Sequence, residues 1–173
     1  AFKLTGSATD VNGDALTYCW EQFNNQVTTQ PPLTTATTGP NFRSVMPTAS
    51  PVRYFPQFSD VLNGNLAPTW EVVPTVARTM NFALTVRDNR AGGGMSNRGN
   101  MVVTTASVGP FRVTSPTLNA SWDSGSTQTI TWDVAGTTAN GINATFVDIF
   151  MSTDGGYTYP VQLASKVPNN GAA

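Results

Sequence analysis

Apolar residues recur at every second position in several short stretches of the chain, with polar residues between them. Phe2 and Leu4 alternate with Lys3 and Thr5, which predicts a strand at the start. Leu16, Tyr18 and Trp20 point one way while Thr17, Cys19 and Glu21 point the other, so Leu16 to Gln22 reads as a second strand. The strongest signal is Thr79 to Asp88, where Met80, Phe82, Leu84 and Val86 form one face. A turn over Asn89 to Gly94 leads from it to a closing strand from Asn100 to about Ser107. Trp70 to Val73 carries a shorter signal, and nothing from there to Ser107 has helical periodicity. Beyond Phe111-Arg-Val113-Thr, Gln128, Ile130, Trp132 and Val134 alternate, as do Val147, Ile149 and Met151.

Two interruptions organise these strands. From Phe23 to about Leu66 the chain is rich in Asn, Gln and Thr and is broken by Pro31, Pro32, Pro40, Pro47, Pro51 and Pro56. Proline lacks the donor that a central ladder needs, so this excursion is expected along the rim of a sandwich, tethered by Phe42, Tyr54, Phe55 and Phe58. Val108-Gly109-Pro110 then divides the chain. The expectation is an all-β protein of two tandem immunoglobulin-like or PKD-like β-sandwich modules, 1–108 and 109–173. The second falls short of the roughly 100 residues of a complete sandwich, which predicts that about two strands are missing and one sheet edge is unpaired. The strand pattern at Phe2 likewise predicts that the chain continues upstream.

Composition narrows the function. Only 11% of residues are charged and 39% are hydrophobic, so the surface is covered mainly by neutral hydroxyl and amide side chains. A net charge of −1, with nine scattered Lys and Arg, gives no electrostatic footprint for nucleic acid or anionic membranes. The chain has no histidine, which excludes Ser-His-Asp, Cys-His and H-E-x-x-H sites within it. Its one cysteine, Cys19, cannot form an internal disulfide and is expected as a buried thiol. No apolar run approaches the ~20 residues of a membrane helix, and no cleavable leader opens the sequence.

The chemistry-bearing candidates are few. Asp10, Asn12 and Asp14 alternate around Gly13, a spacing that lets three oxygens converge on a calcium ion. Asp88 supplies another ligand if the fold brings it to the same end of the sandwich. The alternative is a plain hairpin whose Asp side chains satisfy backbone amides, since the bidentate Glu of an EF-hand loop is lacking. Ser152, Asp154, Gly156 and Thr158, followed by Tyr159, resemble the Asp-box of sialidase-like propellers and assorted secreted proteins. That resemblance implies a braced turn over a packed aromatic, not a catalyst. Glu21 and Glu71 could serve a glycosidase only as a facing pair, and nothing in the sequence places them together. Trp20 and Trp132 fall in core registers. Trp70 and Trp122 lie near loops, to stack on a sugar or peptide or to pack at the rim. Asn119 and Asn143 begin N-glycosylation acceptor triplets, which matter only in a eukaryotic secretory pathway.

The runs GSATD, NGD, LTYCWEQ, GPNFRS, SPVRYFP, ARTMNFALTVRDN, GPFRVTSP, GSTQTITWDVAGT and STDGGYTYP follow one another over nearly the whole chain. In that order they resemble the region downstream of the catalytic domain in reprolysin-like zinc metalloproteases secreted by Bacteroidetes-type bacteria, built from PKD-like and immunoglobulin-like modules. The resemblance implies a secreted or cell-surface bacterial protein, an upstream catalytic domain in the parent chain, and an ancillary role in spacing, anchoring or binding a protein or polysaccharide surface. It carries over no catalytic residue. Two other readings stand beside it: an adhesin or filament subunit that assembles by strand exchange through its unpaired edge, and a carbohydrate-binding module.

Overall fold

The computed structural model describes residues 1–117 and 119–173. Among them are nine strands and one short helix: β1 Phe2–Thr5, β2 Thr17–Gln22, β3 Val52–Phe55, α1 Phe58–Leu62, β4 Arg78–Arg87, β5 Ser96–Thr105, β6 Arg112–Ser115, β7 Thr131–Asp133, β8 Phe146–Met151 and β9 Val161–Pro168. The protein is therefore all-β, with antiparallel pairing throughout. It divides into two compact units, Ala1–Thr105 and Ala106–Ala173. The division falls just before the expected break at Val108–Pro110, because the β4–β5 ladder ends where Arg78 faces Thr105. Val108 already packs in the second unit, beside Gly136.

In the first unit, β1 pairs with β3, and β4 lies between β2 and β5. The alternation seen in sequence becomes burial: Leu4, Trp20, Phe42, Phe55, Met80, Phe82 and Leu84 form one core. Phe55, Phe82 and Met80 are wholly removed from solvent, each side chain contributing about 1.5–3 kcal/mol by its transfer from water. Phe2 stacks on Phe55 at 5.0 Å between ring centres, and Phe42 meets Phe55 edge-on at 5.1 Å, in the offset and T-shaped arrangements aromatic quadrupoles favour.

The proline-rich excursion is tethered by more than its aromatics. Phe42 and Phe55 enter the core, and Tyr54 packs on Phe58. Two buried arginines also hold it through its carbonyls. Arg53 donates to the carbonyls of Trp20 and Arg43 and pairs with buried Glu71 at 3.0 Å. Arg78 reaches Asn41 Oδ1 at 2.7 Å and the carbonyls of Ala36 and Gly39. Burial pushes both guanidinium pKa values down from their usual range, and Glu71 opposes that shift at Arg53.

Some sequence expectations change here. Trp70 to Val73 is not a strand: Pro68 and Pro74 flank it, the Glu71 N–H closes a turn on the Pro68 carbonyl, and Trp70 sits at φ 71. The strand after the glycine turn starts at Ser96 and not at Asn100, because Arg87 is still in register with Ser96. Cys19, on the face opposite Trp20, is also buried, since residues Val45 to Thr48 cover it; the thiol lies 3.5 Å from the Val45 carbonyl. That burial pushes the thiol pKa up, as expected for an inert structural cysteine.

In the second unit, β6 pairs with β7 and β8 with β9. The last residues run along the other side of β7: Ile130 and Ala173 exchange backbone hydrogen bonds at 2.8 and 3.0 Å, and the Trp132 N–H donates to the Gly171 carbonyl at 2.9 Å. Gly171 fits because its φ is 103 and a Cβ there would lie 3.3 Å from the Trp132 carbonyl. Trp132 is buried, and its indole N–H donates to Asn169 Oδ1 at 2.8 Å. The Asn169 amide in turn donates to the Thr137 hydroxyl and the Ala144 carbonyl, so this buried polar side chain is satisfied.

Candidate metal centre

The β2–β4 register builds the acidic cluster of the first unit. Thr17 faces Arg87, so the loop entering β2 and the turn leaving β4 emerge side by side. Asp14 and Asp88 thus come together although far apart in sequence, and Asp10 joins them from the start of the same loop. One carboxylate oxygen from each of the three lies within 4.8 Å of the other two.

Each loop is shaped by its own aspartate. Asp10 Oδ1 accepts the N–H groups of Asn12 at 2.8 Å and Asp14 at 3.0 Å, while the Gly13 N–H closes on the Asp10 carbonyl at 3.3 Å. Gly13 takes φ 77 with open space around its Cα, so what it contributes is torsional freedom and not room. These bonds, that from Asp14 foremost, hold the Asp10 carboxyl below its ordinary pKa. Asp88, just after β4, braces the next turn: both its oxygens lie 2.9 Å from the Met95 nitrogen, and the Arg90 N–H reaches Oδ1 at 3.3 Å. Asp14 is the least engaged. Its Oδ2 is buried, accepts no hydrogen bond among the described residues, and has the Arg90 guanidinium 3.8 Å away.

Three carboxylates thus lie together, with Arg90 and the loop amides facing them. Asp14 Oδ2 retains lone pairs suited to a hard cation, and the fold brings Asp10 and Asp88 beside it. Asn12 is different: its backbone N–H turns to Asp10, and its residue is exposed. Asp10 and Asp88 also border a groove of about 770 Å³ walled by Ser7–Asn12, Leu84, Val86 and Ser96–Gly99.

The remaining candidates lie elsewhere. Glu71 is committed to Arg53 and to the Gln57 N–H, while Glu21 accepts from the Ser44 hydroxyl. Trp70 and Trp122 are both exposed, whereas Trp20 and Trp132 are core residues. In the second unit, Ser152 Oγ donates to Asp154 Oδ1 at 2.7 Å and accepts the Gly156 N–H at 2.7 Å, and Asp154 accepts both the N–H and the hydroxyl of Thr158. The Thr158 hydroxyl foremost, with its N–H and Ser152, lowers the Asp154 pKa to about 2. Tyr159 departs from the Asp-box expectation, being 56% exposed instead of packed under the turn. Sequence reading missed the Arg53–Glu71 pair and the Arg78–Asn41 contact, whose partners are too distant in sequence to leave a local signal.

Fold and site together define an all-β protein with an acidic cluster where two loops meet. No family model, curated protein or solved structure matches the chain. No helix among the described residues is long and apolar enough to cross a membrane.

Proposed function

We propose that the chain is a non-catalytic pair of immunoglobulin-like or PKD-like modules of a secreted bacterial protein, ancillary to a zinc metalloprotease in the same parent chain. It spaces, anchors or presents that enzyme at a protein or polysaccharide surface. The observation that carries this reading is where the polar chemistry goes. Buried Glu71, Arg53 and Arg78 bond to the fold itself, and the Asp154 turn is closed by its own neighbours. The absence of histidine and the order of sequence motifs add to it.

Within this reading Asp10, Asp14 and Asp88 hold calcium as a brace between loops, not as a centre of chemistry. Extracellular calcium modules bind in the ~10⁻⁴–10⁻³ M range, so ~10 mM calcium, roughly 10 to 100 times Kd, adds about 1.4–2.7 kcal/mol to stability. Melting in millimolar calcium against EDTA should therefore raise Tm by several degrees, and magnesium at the same concentration should do less. An unchanged Tm removes the calcium brace. For the ancillary role, the purified chain should co-sediment with an insoluble matrix such as collagen or cellulose while hydrolysing neither casein nor aryl glycosides. Turnover that follows the pure protein, or retention on no matrix, would count against it.

A further inference from the structure

The larger sheet of the first unit ends on an open edge. β4 lies between β2 and β5, so β5 pairs on one side only. The Phe23 N–H donates to the Asn81 carbonyl at 2.9 Å, so the odd-numbered residues of β4 bond towards β2 and the even-numbered ones towards β5. The Asp88 N–H meets the Met95 carbonyl at 3.2 Å in the same phase. The β4–β5 register then turns the N–H and C=O groups of Ser96, Arg98, Asn100, Val102 and Thr104 outward, where no strand among the described residues pairs with them. The Arg98 N–H is taken instead by the Asn97 side-chain oxygen at 2.7 Å.

None of the usual devices guards this edge. Short length, a proline, a bulge or an outlying charge keeps an edge strand from pairing with another chain. β5 runs for ten residues, holds no proline and keeps an unbroken register with β4. Its one charged side chain, Arg98, folds back across the sheet: the guanidinium stands 4.5 Å over the ring of Phe23, which lies on the far side of β4. Met101 and Val102 are 40% and 65% exposed.

Unpaired N–H and C=O groups at strand spacing call for another extended backbone, and the side chains specify which one. An antiparallel copy of β5, related by a two-fold axis at Asn100, sets Ser96 opposite Thr104, Arg98 opposite Val102 and Asn100 opposite itself. Every outward residue then faces an outward residue, with two hydrogen bonds to each pair and about ten in all. The Asn97 oxygen yields the Arg98 N–H to the partner's Val102 carbonyl. Each arginine lies opposite a valine, so no like charges face each other. The intervening pairs set Met101 opposite Gly99, where nothing lies within 4 Å of the place a Cβ would take, and the exposed thioether fills that gap.

We propose that β5 pairs antiparallel with β5 of a second copy, about a two-fold axis at Asn100, so that the two β2–β4–β5 sheets become one continuous sheet. Such pairing uses the same edge on both copies and leaves it covered, so the assembly closes as a dimer. The dimer depends neither on the ancillary role nor on calcium.

Light scattering of the 173-residue chain from about 10 µM to about 1 mM tests it, with amide hydrogen exchange read by NMR at both ends of the series. The expected result is a mass rising towards twice 18.3 kDa, with the Asn100, Val102 and Thr104 amides gaining at least about tenfold protection. Asn100→Pro removes an outward donor that β4 does not use, and should weaken the dimer about tenfold while leaving far-UV circular dichroism unchanged. Val102→Lys, opposite the partner's Arg98, should weaken it by a similar about tenfold, whereas Val102→Glu at the same place should keep or tighten it. Met46→Lys, at an 83% exposed position in the same unit, should leave it intact. A wild-type monomer at the highest concentration overturns the proposal, including one whose β5 takes up an added peptide strand instead. So does a dimer that survives both Asn100→Pro and Val102→Lys, one weakened equally by Lys and Glu at position 102, or an open-ended ladder of masses. Should Asn100→Pro unfold, the two Val102 variants decide.

Discussion

The side-chain amide of Asn89 donates to the backbone carbonyl of Ala15 at 2.8 Å, joining positions 74 residues apart. Asn89 also accepts from the Thr17 hydroxyl at 3.2 Å. It sits at φ 55, a left-handed conformation that asparagine tolerates better than most residues. One side chain thus fastens the loop of Asp10 and Asp14 to the turn of Asp88.

Replacing that staple separates its two contributions. Asn89→Gly keeps the backbone freedom and loses the hydrogen bonds, so it should destabilise the first unit by about 0.5–1.5 kcal/mol in urea unfolding. Asn89→Ala adds strain at positive φ and should cost about 1 kcal/mol more. Equal costs for the two variants would show that the turn relaxes out of its left-handed conformation.

Charge in the acidic cluster should give opposite signs with and without calcium. In EDTA, Asp14→Asn relieves repulsion from Asp10 and Asp88 and should leave Tm unchanged or slightly higher. In millimolar calcium the same variant should lose most of the Tm rise seen with wild type. A variant that lowers Tm equally in both conditions would assign Asp14 to the pairing with Arg90 instead.

Glu71 is the anchor whose loss should be most damaging. Its carboxylate meets Arg53 at 3.0 Å and the Gln57 N–H at 2.8 Å, and Glu71 and Arg53 are both buried. Glu71→Ala leaves a buried guanidinium without its counter-ion and should cost about 3–5 kcal/mol. The double variant Glu71→Leu with Arg53→Met should recover much of that loss, because two apolar side chains need no partner. Urea unfolding of the two variants measures the difference.

Acid should loosen the Asp154 turn within a defined window. Its folded pKa is about 2 against an ordinary value of 3.8, so the unfolded chain takes up the proton first as pH falls. The stabilisation is therefore complete above about pH 4 and is lost as pH falls through the folded value near 2. Amide resonances of Gly156 and Thr158 should hold position down to about pH 3 and then shift together. Asp154→Asn should abolish that transition, while a shift centred at the ordinary carboxylate value would contradict the hydrogen-bonded geometry.

Much of this was legible in the sequence, for local reasons. Period-two alternation at Phe2–Leu4, Leu16–Trp20 and Met80–Val86 marks strands because successive side chains leave opposite faces of a pleated chain, and those same residues supply most of the core. The motif Ser152-x-Asp154-x-Gly156-x-Thr158 closes its turn within seven residues, so its spacing is nearly its structure. Asp10, Asn12 and Gly13 likewise announce a turn by themselves.

Tertiary structure decided what depends on residues distant along the chain. Whether Asp88 joins Asp10 and Asp14 rests on the register of Thr17 with Arg87, and a slip of one residue would turn each β2 side chain to the opposite face. Trp70 to Val73 shows β propensity but is held to a single antiparallel bridge, Glu71 opposite Phe42, because Pro68 and Pro74 flank it and Trp70 takes a positive φ. The buried arginines follow the same logic. A guanidinium is costly in a core unless carbonyls and carboxylates converge on it, and only the folded chain brings those of Trp20, Arg43 and Glu71 to Arg53. The sequence by itself thus determined the class of fold and the positions of its turns, since both arise from steric and hydrogen-bonding preferences over a few residues. Which turns meet, which charges are buried and which strand edge is left open were decided by packing alone.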